Sequence, residues 1–213
     1  MSQHLPALVV VIPLLSAVLV SGAGWVRGRL CFPLAFLGLG LTLAGAVDLL
    51  LQVMDSGPVH YRLGGWEPPW GIGYAVDALG AMVLVVIAGV AFLNLVAGRL
   101  DIRRQYPDRE GAFYTLYVLF VAGLMGIVAT GDLFNLYVLL EVTSLTGYAL
   151  IALGRDPAPL ASLRYLLLGT IGASFYLLGT GYLYIMTGSL NMADVAGILP
   201  GVRSISATQV AFL

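Results

Sequence analysis

Residues 133–154 read LFNLYVLLEVTSLTGYALIALG, a stretch with one charge, Glu141, near its middle. At about 1.5 Å per residue it makes a helix long enough to cross a hydrocarbon core roughly 30 Å thick. A carboxylate at the centre of such a helix costs roughly 2.5–3.5 kcal/mol on insertion scales. A protonated state, an ionic partner or a water-filled path offsets that cost. Each of these is also a way of handling a proton, so this stretch sets both the fold and the main functional question.

The rest of the chain is of the same kind. Of its 213 residues, 60% are hydrophobic and 10% charged, where a soluble domain carries about 25% charged residues. This composition belongs to an integral membrane protein. Six apolar stretches are long enough to span: about 5–26, 31–54, 77–98, 111–130, 132–154 and 160–187. A seventh, 205–213, is too short. The expected fold is an all-α polytopic membrane protein with six transmembrane helices and the start of a seventh. Residues 1–213 form a single transmembrane domain, read as the N-terminal part of a larger subunit. No Lys or Arg precedes the first run, Leu5 to Val26, which reads as a permanent helix and not a cleaved signal.

Several function classes are excluded. A net charge of −1 gives no support for nucleic acid as a partner. Cys31 is alone and forms no internal disulfide. His4 and His60 both lie outside the apolar runs, so no metal site is expected. No glycine motif follows a strand, no nucleophile–base pair is visible, and no haem or iron–sulfur ligands are suggested. No cofactor is expected.

All ten basic residues are arginine. Arg27, Arg29, Arg99, Arg103, Arg104, Arg109, Arg155 and Arg164 fall at one end of the predicted bundle, and Arg62 and Arg203 at the other. By the positive-inside rule the odd-numbered connections face the cytoplasm and the N-terminus lies outside. A bacterial or archaeal plasma membrane is the expected location.

The outer connection, about 58–76, alternates apolar residues at Tyr61 and Leu63, then at Ile72, Tyr74 and Val76, around Glu-Pro-Pro. This reads either as a short β-hairpin or as an irregular Pro/Gly loop. Only Thr130-Gly131-Asp132 joins the fourth and fifth spans, which makes them antiparallel neighbours. Asp132 reads as a helix cap, with ion access as the minor reading, and Asp77 reads as a cap for the third span. Residues Asn191 to Arg203 read as an outer surface segment with Met192, Val195, Ala196 and Leu199 on one face.

At helical spacing Glu141 shares its face with Phe134, Tyr137, Val138, Ser144, Leu145 and Tyr148. Two tyrosines and a serine suit a face turned to protein or water better than one turned to lipid. A carboxyl in low dielectric is poised to take up and release a proton. The plainer reading is a glutamate hydrogen-bonded between helices. Asp48 marks either a helix end near the interface or part of an ion path. Thr170 and Ser174 share a face of the sixth span, where they either bond the i−4 carbonyl or line a water wire. Arg164 acts mainly through topology, with charge relay as the alternative. Gly169 and Ala173 make a small-xxx-small pair that lets backbones approach closely.

Three separated segments carry a resemblance: GDLFNLYVLLEVTSLTGYALIALG from Gly131, LRYLLLGTIGASFYLLGTGYLYIMTGSLNMADV from Leu163, and YRLGGWEPPWGIGYAVDALGAMV from Tyr61. Together they resemble the proton-conducting antiporter-like membrane subunits. Within that family the match is to the D subunit of the multi-subunit (Mrp-type) Na⁺/H⁺ antiporters, with the antiporter-like subunits of complex I and membrane-bound hydrogenases as more distant relatives. The resemblance implies a complete fold of fourteen helices containing two inverted five-helix repeats. It implies that Glu141 is the family's fifth-helix glutamate, paired with a lysine on a broken seventh helix expected past Leu213. It implies a secondary transporter subunit moving protons and monovalent cations across the bilayer alongside other membrane subunits. The alternative it leaves is a proton-pumping subunit of an NADH-quinone oxidoreductase or membrane-bound hydrogenase.

Overall fold

The computed structural model describes residues 4–67, 69–202 and 211. Among them are six helices long and apolar enough to cross a membrane: α1 (Leu5–Val26), α2 (Cys31–Ser56), α3 (Ala78–Ala97), α5 (Glu110–Ala129), α6 (Leu133–Ala152) and α7 (Ala158–Thr187). Two shorter helices, α4 (Arg99–Gln105) and α8 (Met192–Val202), lie outside the spans. The short seventh stretch, 205–213, falls outside the described residues except for Ala211.

Local chemistry sets the helix ends. The Asp77 carboxylate accepts the Gly80 N–H at 2.7 Å and opens α3, and the Asp132 carboxylate accepts the Asn135 N–H at 2.7 Å and opens α6. Each satisfies one of the donors that a helix start leaves unpaired. α2 and α7 stop at Gly57 and Gly188, whose φ values of 83° and 71° favour a residue without Cβ.

In lipid, helices gain no hydrophobic free energy from one another, so close packing holds them together. α1, α2 and α5 pack mutually, and α3 lies against α2 and α5. This cluster buries Val9, Val20, Leu39, Leu49, Leu84, Leu95, Val118 and Met125. Small residues let it close. A side chain on Gly38 would collide with Ser16, and one on Gly45 would touch Val9. From this core the layers run outward: α6 packs on α5, and α7 on α6. α5 is the most buried span and α7 the least.

The 58–76 connection is a β-hairpin: β1 (Val59–Arg62) pairs antiparallel with β2 (Gly73–Val76), Tyr61 opposite Tyr74. Tyr74 and Val76 are buried against the helix ends, while Ile72, expected on the same face, is 38% exposed. The 130–132 turn extends this sheet. The Gly131 N–H donates to the Gly73 carbonyl at 2.9 Å, the Leu133 N–H to the Leu190 carbonyl at 2.9 Å, and the Met192 N–H to the Gly131 carbonyl at 2.9 Å. The hairpin, the turn and the segment entering α8 are thus joined by main-chain bonds. On α8, Val195 is buried and Met192 and Leu199 are half-buried, while Ala196 is exposed.

Candidate functional site

Glu141 is the ninth residue of α6, eight residues below Leu133, or about 12 Å from the hairpin end. Its depth is fixed by the packing of α5. A side chain on Gly123 would collide with Thr143, and one on Gly126 with Leu139. Glu141 therefore lies level with residues 124–125, inside the span. It is half-buried. Among the described residues the ion pair is Arg62–Glu67 in the hairpin, so the Glu141 carboxylate has no cationic partner there.

At about 100° per residue, α6 divides into three faces. Leu139, Thr143 and Thr146 turn to α5. Tyr137 and Tyr148 turn to α7. Phe134, Val138 and Leu145, at 47%, 41% and 54% exposure, are uncovered. Glu141 lies on the seam between the α7 face and the uncovered stripe. The stripe predicted to face protein or water is therefore split: its tyrosines are packed, and three of its apolar residues are exposed. Ser144 is half-buried beside Glu141.

The α6–α7 interface is built mainly from aromatic rings. Tyr137 stacks on Tyr176 with centroids 6.4 Å apart and planes 9° apart, and the Tyr176 hydroxyl donates to the Leu133 carbonyl at 3.0 Å. On the arginine side of Glu141, Tyr148 meets Tyr165 edge-on at 4.9 Å, and the Ser162 hydroxyl donates to the Tyr148 carbonyl at 2.7 Å. Interpolating between the two ring contacts puts Glu141 level with Gly172. Gly169 does not bring two backbones together as the small-residue spacing predicts, because the Tyr148 hydroxyl fills its space.

The remaining candidates separate. Tyr137 and Ser174 line one groove of about 580 Å³ with Leu177, Leu178 and Tyr182. The Thr170 hydroxyl donates to the Leu166 carbonyl at 2.9 Å, and the Ser174 hydroxyl to the Thr170 carbonyl at 2.8 Å, so both engage their own helix. Arg164 is exposed at the arginine-bearing end of α7. Asp48 is not brought to Glu141. It is exposed on α2, which packs on α1, α3 and α5. The Gly38–Ser16 and Gly45–Val9 contacts put it level with the start of α1. The Gly40–Phe92 and Gly89–Leu43 contacts put it level with Leu84, within the span of α3.

Asp132 is 6% exposed at the head of α6. Burial pushes its carboxyl above the usual carboxylate range, opposed by the N–H groups of Asn135 and Phe134. Thr130 completes the cap, accepting from the Asn135 side chain at 2.9 Å. Sequence reasoning missed Tyr176 and Ser162. The signal was present: Ser162, Leu166, Gly169, Ala173, Tyr176, Thr180, Leu183 and Thr187 alternate in steps of four and three, and all are buried or half-buried. That is the seam of a helix packed on one side.

Residues 130–213 match the family described as NADH:quinone oxidoreductase/Mrp antiporter, transmembrane. The chain belongs to this antiporter-like family. It is 46% identical to the N subunit of the NADH-quinone oxidoreductase of Desulforudis audaxviator, over 94% of this chain and 40% of that protein. It is 35% identical to the D subunit of the Na⁺/H⁺ antiporter of Bacillus subtilis, over 88% of this chain and 38% of that protein. Its fold matches a chain of an archaeal membrane-bound sulfane sulfur reductase with a TM-score of 0.90 and 33% identity, covering 98% of this chain and 42% of that one. The chain thus spans about two-fifths of the length of the relatives it matches. The resemblance to the antiporter D subunits holds alongside a higher identity to an oxidoreductase N subunit.

Proposed function

We propose that this chain contributes a proton half-channel to a multi-subunit, ion-translocating membrane assembly, with Glu141 as the group that takes up and releases the proton. The observation that carries the reading is the place of Glu141: within the span, on a helix seam, without a cationic partner among the described residues. A carboxylate at that depth is costly unless its environment changes its charge state. A cation approaching to about 4 Å contributes roughly 4 kcal/mol at an effective dielectric of 20. Approach and withdrawal of one positive side chain across the seam therefore switches Glu141 between its two protonation states. The family resemblance supplies that cation as a lysine from a further helix. Tyr137, Ser144, Tyr148, Thr170 and Ser174 are the hydroxyl-bearing candidates for the path. By the positive-inside rule the arginine-bearing end faces the cytoplasm.

Two energy sources fit the same helices. One is exchange against a monovalent cation, as the name of the Bacillus relative states. The other is electron transfer in a respiratory complex, supported by the higher identity to an oxidoreductase N subunit and by the likeness to a chain of the sulfane sulfur reductase. Co-purification separates them: flavin or iron–sulfur subunits mark the second, small membrane subunits alone the first. Glu141→Gln in the full-length protein within its assembly abolishes proton movement under either driver. Full activity in that variant removes Glu141 from the mechanism.

A further inference from the structure

An open cavity of about 330 Å³ runs between α3 and α5. Its walls include Val86, Val90, Phe120 and Leu124, and Asn94 and Tyr117 form its polar end. Val86 and Val90 are each 53% exposed, so the groove opens sideways, away from the core. From Val86 to Asn94 it runs about 12 Å along α3, most of the depth of one leaflet. Spread over that length, its volume gives the cross-section of one hydrocarbon chain and falls far short of a helix about 10 Å across.

Below the polar end an aromatic ladder continues toward the arginine-bearing surface. Tyr117 stacks on Phe113 at 6.0 Å, and Phe113 on Tyr106 at 5.7 Å. There α4 lies at the surface, anchored by buried Ile102. Arg99 of this helix is occupied, its guanidinium 4.1 Å over the Phe32 ring. Arg103 and Arg104 in the last turn are exposed and have no carboxylate partner among the described residues. The nearby acids Asp108 and Glu110 line a different cleft, shared with Ser21 and Trp25 of α1. An apolar slot of chain width thus leads, through this ladder to Tyr106, toward the end of α4 that carries two unpaired guanidinium groups among the described residues.

We propose that the α3–α5 groove and the arginines of α4 form a site for an anionic phospholipid, with one acyl chain in the groove and the phosphate at Arg103 and Arg104. Guanidinium groups bind phosphate oxygens two at a time. Basic residues beside a membrane also favour lipids of net negative charge. A zwitterionic lipid offers the same chain without that net charge, so the site discriminates by headgroup.

Native mass spectrometry of the full-length protein in mild detergent tests this, using phosphatidylglycerol and phosphatidylcholine of matched chains. The expected result is preferential retention of phosphatidylglycerol. The double variant Arg103→Ala/Arg104→Ala lowers that preference roughly tenfold or more, while Arg103→Lys/Arg104→Lys keeps most of it. Val90→Trp, at an exposed position, fills the groove and lowers retention of both lipids. Equal retention of the two lipids by the parent protein overturns the proposal. So does an unchanged preference in the alanine variant, or undiminished retention in the tryptophan variant.

Discussion

The hydroxyl of Tyr148 occupies the volume that a side chain at Gly169 would need. This pairing of an aromatic on α6 with a gap on α7 sets the spacing of the two helices on the arginine side of Glu141. Gly169→Val forces the ring out or the helices apart and costs about 1–3 kcal/mol. Tyr148→Phe at the same contact costs less, because only the hydroxyl is lost. Thermal unfolding in detergent measures both. A Gly169→Val protein as stable as the parent would show that α6 and α7 are not held at this point.

Glu141 separates a functional carboxylate from structural glue. Lacking a cationic partner among the described residues, it does not hold helices together through an ion pair within them. Glu141→Leu is therefore expected to leave the purified protein as stable as the parent or more so, by up to about 3 kcal/mol, while proton movement is lost. A marked drop in thermal midpoint would instead identify Glu141 as an interhelical strut.

Asp132 gives a pH dependence of known sign. Its folded-state pKa is raised by burial, so the fold favours the protonated form. The charge costs nothing below the ordinary aspartate value, and its cost is fully expressed above the raised one. Stability therefore falls as pH rises through that window. Asp132→Asn keeps a good helix cap and flattens this slope. Asp132→Ala removes the cap as well and costs about 1 kcal/mol. Unfolding midpoints measured from pH 4 upward decide it, and an unchanged slope in Asp132→Asn overturns the assignment.

The α5–α6 contact depends on two glycines. Gly123 accepts Thr143 and Gly126 accepts Leu139. Gly126→Leu is expected to destabilise by about 1–3 kcal/mol through overpacking, and Leu139→Ala by about 2–5 kcal/mol through the void it leaves. The double variant Gly126→Leu/Leu139→Ala restores volume across the contact and recovers part of both losses, a coupling that a double-mutant cycle measures.

Most of the fold was legible because spanning a bilayer requires long apolar runs, and such runs have sharp ends. The predicted 111–130 and 132–154 correspond to Glu110–Ala129 and Leu133–Ala152. Asp77 and Asp132 cap helices as their positions suggest. Three things were not legible. The helix α4 is too short to carry a period. The surroundings of Gly169 depend on a tyrosine one helix away, and spacing within α7 does not contain that. The three faces of α6 follow from which helices pack on it, so the stripe around Glu141 reads as one face in the sequence and is divided in the fold.

The bonds that stitch Gly131, Leu133 and Met192 to their neighbours all run between peptide groups. A joint of this kind has no side chain to erode. The loops at the hairpin end are free to drift in composition while the helix pair they clasp stays in place. Proline is the natural saboteur, since it arrives without the N–H that each stitch spends.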